Sequence, residues 1–442
     1  MRTLLLSIAF AGALVLAQPA PEQFDEQVKA YVAAGKFNGA AAVARDGKIL
    51  FAKGYGKANL EWDIPNAPDT KFRLGSITKQ FTAMAILLLE QQGRLKVADP
   101  VSKHIPDTPE SWKQITIHHL LTHTSGIPNF TSFPDYLKTM ALPAPPAESY
   151  KRFRDKPLDF DPGTKFSYSN SGYILLGWIV ERAGGMAYDE FMRKNIFEPL
   201  GMSDTGYDKN ETVLAKRAAG YENRGRELRN ASYIDMSIPH GAGALYSTVL
   251  DLVKWDGALR AGKILTPENY VRYFEPVKGN YAYGWMHRTA QDVKMIGHGG
   301  GINGFSTMIL RVPEEKLVAV TLTNVLPSDA GRVAQDLVMI ALGKPAEKPK
   351  VRTEVKVSEE ILKGYVGEYE LSPNFVMTVT FEDGMLQTQA TGQGKTPIFA
   401  MSETTFFPKV VDAEITFDKD ESGKVTGLTL FQNGRKMPAK KR

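Results

Sequence analysis

The chain has 442 residues, 43% hydrophobic and 23% charged, enough for more than one domain and a large core. Its formal charge of +5, spread over that length, is too weak a bias to suggest a nucleic-acid partner. It contains no cysteine, which excludes a disulfide frame and a cysteine nucleophile.

In chain order, Arg2, the apolar run 4–16 and the small residue Ala17 have the form of a secretory signal peptide, residues 1–17, cleaved after Ala17. Loss of Arg2 lowers the charge to +4. No cysteine follows the cleavage site, so lipid attachment is not indicated, and no later apolar run is long enough to span a membrane. The expected product is periplasmic or secreted. A helix is predicted over 22–34. "GAAAVARDGKILFAKGYG" reads as two strands joined at Asp46-Gly47. "RLGSITKQFTAMAILLLE" opens a helix whose apolar stripe is Phe81, Met84, Ala85, Leu88 and Leu89. A helix-rich stretch follows to about residue 261, broken by loops such as "ALPAPPAE". "FSTMILRVPEEKLVAVTLTN" is a second hairpin, and a helix over 330–342 closes this part.

Pairing the early hairpin with the late one gives an α/β (α+β) fold. It has a mostly antiparallel sheet flanked by helices, with a helical subdomain inserted between the hairpins. This domain covers residues 22–342. Residues 343–357, "GKPAEKPKVRTEVKV", read as a linker. Residues 358–442 alternate in short strands, with hairpin turns at Asp383-Gly384 and Asn433-Gly434, and are expected to form a small antiparallel β-barrel.

Ser76 and Lys79 form the chain's one Ser-x-x-Lys, at the start of the second helix. Residues three apart share a helix face, so the two side chains can meet. The helix N-terminus and burial both disfavour a charged lysine and prepare it to take the serine proton. Bringing a lysine from about 10.4 to about 7–8 costs roughly 4 kcal/mol, at about 1.4 kcal/mol per unit. The same residues also suit a helix N-cap and a snorkelling lysine. In "DPGTKFSYSNSGYILLGW", Tyr168 and Asn170 stand between a Pro-Gly turn and an apolar helix, placed to face Ser76. Tyr168 can shuttle a proton and the Asn170 amide can hold Lys79 and a substrate carbonyl. Tyr221-Glu222-Asn223 repeats the pattern within a charged stretch that reads as a surface loop.

"GHGGGINGF", 297–305, lets backbone approach a ligand closely at Gly299, Gly300 and Gly301, with His298 as an ionisable group on that edge. It also reads as a plain Gly-rich turn. The Gly301 and Ser76 N–H groups together would make an oxyanion hole. A phosphate loop is not indicated, because no Gly-Lys-Ser/Thr follows. His119 and His123 are four apart, as metal ligands on a helix can be, but the Glu of H-E-x-x-H is missing and no metal is expected. No G-x-S-x-G elbow is present.

With "GSITKQFTA", "ITIHHLLTHTSGI", "DPGTKFSYSNSGY" and "GHGGGINGF" in this order, residues 25–342 resemble the serine β-lactamase and penicillin-binding protein superfamily. The most similar branch holds class C β-lactamases, D-Ala-D-Ala carboxypeptidases, D-aminopeptidases and β-lactamase-like esterases. The tail resembles the lipocalin-like domain attached to some members. The resemblance implies Ser76 as nucleophile, Lys79 as base, Tyr168 as partner base or proton relay, and no cofactor. His298-Gly299-Gly300 stands where the family pattern has Lys-Thr-Gly, whose lysine helps hold a substrate carboxylate. The expected activity is therefore hydrolysis of peptide, amide or ester substrates through a serine acyl-enzyme. A β-lactamase or D-Ala-D-Ala carboxypeptidase proper is the alternative. A slowly acylated penicillin-binding or sensing protein is the alternative of another class.

Overall fold

The computed structural model describes residues 19–224, 227–432 and 434–442. The expected signal peptide, residues 1–17, and Asn433 of the last expected turn lie outside these residues. A first helix, α1 (Pro21–Ala33), leads into the hairpin β1 (Gly39–Arg45) and β2 (Lys48–Tyr55). The helix α2 (Thr78–Gln91) follows a single 3-10 turn, Gly75–Ile77. The inserted helical stretch contains α3 (Asn170–Gly184), the short α4 (His240–Gly243) and α5 (Val249–Arg260). Then come β3 (Met286–Ala290), β4 (Val293–Ile302), β5 (Phe305–Val312), β6 (Leu317–Thr323) and α6 (Ala330–Ala341).

These six strands form one antiparallel sheet in the order β3-β4-β5-β6-β1-β2. The early and late hairpins join as expected, Gly39 opposite Thr323 and Arg45 opposite Leu317. Successive side chains on a strand face opposite ways. On β1, Ala41 and Val43 therefore pack under α1 and α6 with Phe24, Leu337 and Ala319. Ala40, Ala42 and Ala44 pack on the other face with Phe81, Leu252 and Trp255. The single stripe expected on α2 is exceeded. Residues 78–89 are all buried, because α2 runs through the larger core, packed against α3 and α4.

The Gly-rich stretch 297–302 is strand, not turn. Strand β3 covers β4 only as far as Gly297, so the edge from His298 to Ile302 is left open by the described strands. The second Tyr-x-Asn is also strand. Tyr221 is buried in a small hairpin, with its hydroxyl on the Leu60 N–H at 2.8 Å and on Glu61.

Residues 344–358 carry no regular secondary structure. The Glu347 carbonyl accepts from Gln27 of α1, and Arg352 pairs with Asp412 and Glu414 of the tail. The tail is a closed barrel of eight antiparallel strands running from Gly367 to Lys441. The helix Glu359–Gly364 precedes it, and Tyr365, Phe406 and Phe417 fill its interior. Among the described residues, no helix is long and apolar enough to cross a membrane.

Candidate active site

The site forms where the start of α2, the start of α3, α4 and the open edge of β4 converge. Ser76 sits on the 3-10 turn ahead of α2, half-buried. Gly75 before it has φ +54°, a conformation that L side chains rarely adopt, and a Cβ there would come within 2.9 Å of Gly301 N and O. At Gly300 a Cβ would lie 1.9 Å from the Leu74 carbonyl oxygen, and Thr307 of β5 donates to that oxygen at 2.7 Å. The glycines therefore let β4 press against the serine turn. That close contact explains the glycine at 300, while a Cβ at Gly297 would meet the Ile309 carbonyl of β5 at 2.3 Å.

Lys79 is fully buried, its Nζ 3.0 Å from Ser76 Oγ, 2.8 Å from Asn170 Oδ1 and 2.9 Å from the Ala242 carbonyl. Burial, with no carboxylate in contact to offset it, holds its pKa well below the ordinary lysine value. The three partners suit a neutral amine. In that form its two N–H bonds would go to the two obligate acceptors, Asn170 Oδ1 and Ala242 O, leaving its lone pair to the serine hydroxyl. The faces of Tyr168 and Tyr173 lie 4.8 and 5.4 Å from Nζ, and these rings would favour an ammonium formed there transiently.

Tyr168 lies on the segment before α3, in hydrogen-bond contact with Ser76. Burial raises its pKa, and the serine hydroxyl opposes that shift only in part, so it is a neutral phenol. Asn170, the first residue of α3, is fixed by three bonds. It accepts from Lys79, donates Nδ2–H to Thr131 Oγ1 at 3.2 Å, and donates its main-chain N–H to Asn129 Oδ1 at 3.0 Å.

His298 belongs to the same cluster but points its polar atoms elsewhere. Nδ1 is 2.5 Å from the Gly299 carbonyl, so it carries the proton, and Nε2 accepts from the Tyr281 hydroxyl at 3.0 Å. Burial and the nearby Lys79 push its pKa down to about 3, so it is neutral in any ordinary buffer. The ordinary histidine value of 6.5 does not survive enclosure.

Two contributors carry no sequence signature. Ala242 acts through its carbonyl, and Tyr281 through its contact with His298. A third, His123, lies against Tyr168 with ring centroids 4.3 Å apart, and it is not near a metal cluster of any kind among the described residues. His119, its supposed co-ligand, caps its own helix by accepting from Thr116 N.

A cavity of about 330 Å³ opens over Ser76. Phe130, Tyr136, Ile234 and Ile302 give it apolar walls, Asn170 and Asn303 line it with amides, and no Asp, Glu, Lys or Arg is among its described lining residues.

A serine beside a buried lysine of lowered pKa and a phenol, at an open sheet edge, is the apparatus of a serine hydrolase. Residues 24–343 match the family described as Beta-lactamase, and residues 351–441 match a domain of unknown function (DUF3471). The chain belongs to the Beta-lactamase family and is a serine hydrolase of that family. It is 29% identical to penicillin-binding protein 4* of Bacillus subtilis (strain 168) over 428 residues, 90% of this chain and 94% of that protein. The octameric penicillin-binding protein homologue from Pyrococcus abyssi superposes with a TM-score of 0.67 at 27% identity, covering 95% of this chain and 99% of that one. The D-amino acid amidase from Ochrobactrum anthropi SV3 does so with a TM-score of 0.64 at 26% identity, over 73% of this chain and 97% of that one.

Proposed function

We propose that the protein is an exported amidase, peptidase or esterase that works through a Ser76 acyl-enzyme. The observation that carries this reading is Lys79, wholly buried without a carboxylate partner and 3.0 Å from Ser76 Oγ. Neutral Lys79 takes the Ser76 proton as Oγ bonds to the substrate carbonyl carbon. The resulting oxyanion sits between the Ser76 and Gly301 N–H groups. The proton then passes from Lys79 through the Tyr168 hydroxyl to the leaving nitrogen or oxygen as its bond to the acyl carbon breaks. A water molecule repeats the sequence on the ester, giving the acid and free Ser76. Asn170 holds Lys79 and the substrate carbonyl, while Gly299 and Gly300 set the edge along which the substrate lies. His298, neutral and held by Tyr281, serves as a wall of the relay.

The cleft chemistry supports uncharged amides and esters, D-aminoacyl amides included, over substrates that need a fixed cation for a carboxylate. A panel of p-nitrophenyl esters, D-aminoacyl p-nitroanilides and nitrocefin, run on wild type and on Ser76→Ala, tests this. Multiple turnover of an ester or anilide that is lost in Ser76→Ala is the expected result. Stoichiometric acylation without turnover would instead favour the slow penicillin-binding or sensing protein.

A further inference from the structure

We infer that His123 is a positioning residue that holds Tyr168 in register with Ser76. The inference rests on the acyl-enzyme reading, which gives Tyr168 its relay role. The His123 carbonyl accepts from Ser167 N at 2.9 Å, and its Nδ1 accepts from Ser169 N at 3.1 Å. The two amides flank Tyr168, so one residue pins the chain on both sides of the phenol. The imidazole also packs on the phenol ring, their centroids 4.3 Å apart.

His123 tolerates two unfavourable features to do this. Its backbone is left-handed, at φ +56°, which is uncommon for a residue other than glycine. Because Nδ1 accepts, the proton sits on Nε2, which is buried with no hydrogen-bond partner, while the rings of Tyr281 and Tyr173 lie 4.6 and 5.1 Å from the imidazole. An aliphatic side chain would fill the same volume without an orphaned donor. What it would lack is the acceptor for Ser169. Strain and an orphaned donor gathered on one residue beside a reactive serine point to a role beyond packing. Burial keeps the ring neutral, so Nδ1 keeps its lone pair.

The test uses His123→Leu, which removes the acceptor, and His123→Asn, which keeps it. Asparagine visits the left-handed region readily, and its Oδ1 can stand in for Nδ1. Each is measured for kcat and KM on an ester that the wild type turns over, for Ser76 labelling by a fluorophosphonate, and for Tm. His123→Leu is expected to lose about 10²-fold in kcat with KM within about threefold, and His123→Asn to recover to within about tenfold of wild type. In a Tyr168→Phe background His123→Leu should cost little further in kcat, because both changes disable one relay. Wild-type kcat in His123→Leu overturns the inference, as do equal losses in the two variants or full additivity with Tyr168→Phe. If His123→Leu does not fold, a folded His123→Asn that loses more than about tenfold overturns it alone. A wild type that Ser76-directed probes never label sinks the acyl-enzyme reading and this inference together. A labelled wild type with an indifferent His123→Leu sinks only this one.

Discussion

The hydrolase region and the C-terminal barrel both have buried cores, but of different material. Around Ser76 the interior holds Lys79, Gln80, Thr82, His123, Ser169, His240 and His298, all buried. Among the described residues from 359 onward, the only buried polar residue is Thr388, and the barrel core is aliphatic and aromatic. Several of the hydrolase groups also lack a hydrogen-bond partner: Gln80 Nε2, His123 Nε2, Ser169 Oγ and His240 Nδ1. Each such group costs about 1–3 kcal/mol when buried. The hydrolase region spends stability on reactive geometry, whereas the barrel core holds few polar groups. Substitutions should therefore divide cleanly between the two.

The largest effect is expected at the nucleophile. Ser76→Ala should lower turnover by at least about 10³-fold and abolish covalent labelling while Tm stays near that of wild type. An alanine variant that still labels at full stoichiometry would put the nucleophile elsewhere. The opposite behaviour is expected in the barrel. Phe417 stacks on Tyr365 with centroids 4.1 Å apart and is 2% exposed. Phe417→Ala should destabilise the barrel by about 3–5 kcal/mol while kcat on a small ester changes little. Calorimetry and ester kinetics on the same sample would check it, and a matching fall in kcat would break the division.

The parts of this division that were legible in the sequence are those written in side chains. Ser76 and Lys79 have a spacing, and the two hairpins have alternation and turn residues. Together these were enough for the sheet that joins Gly39 to Thr323. Strand β4 shows no alternation in sequence, because backbone contacts at Gly297 and Gly300 exclude the side chains that would have shown a strand's pattern. The Ala242 carbonyl is backbone and leaves no trace in composition. The part played by His123 leaves no local signal in the sequence, since its partners, Ser167 and Ser169, are more than 40 residues away. Tyr168 and Tyr221 were told apart in sequence by the charge around them, but the structural difference is that Tyr221 spends its hydroxyl on Leu60 and Glu61.

A smaller effect is expected at the base. Lys79→Arg keeps a cation but cannot deprotonate near neutrality, so kcat should fall by about 10²-fold or more. The pH profile sharpens the point. Burial lowers the Lys79 pKa, so wild-type kcat/KM should rise with pH as the lysine loses its proton, on a limb well below the ordinary lysine range. The arginine variant should lack that limb. Near-normal turnover in Lys79→Arg would reduce Lys79 to an electrostatic role.

The smallest effect concerns His298, whose enclosure makes the cleft neutral. With its pKa pushed down to about 3, the ratio of kcat/KM for an ester to that for a penicillin should stay flat between about pH 5 and 8. A histidine titrating near its ordinary value would improve the penicillin as pH fell, because the new cation would meet its carboxylate. Stability should respond where selectivity does not. Between the ordinary value of 6.5 and about 3, the unfolded chain binds a proton that folded His298 refuses. Stability is therefore lost as pH falls through that window, by at most about 1.4 kcal/mol per unit from this residue. His298→Gln should soften that acid loss and leave the selectivity ratio flat. His298→Lys should instead shift the ratio toward the carboxylate-bearing substrate by about 1–3 kcal/mol, the scale of a hydrogen bond to a charged group. Both substrates must be followed on both proteins, since a second ammonium beside Lys79 would also disfavour protonation of the base. A wild type whose preference swings toward penicillin below pH 6.5 would show that His298 is charged in the cleft after all.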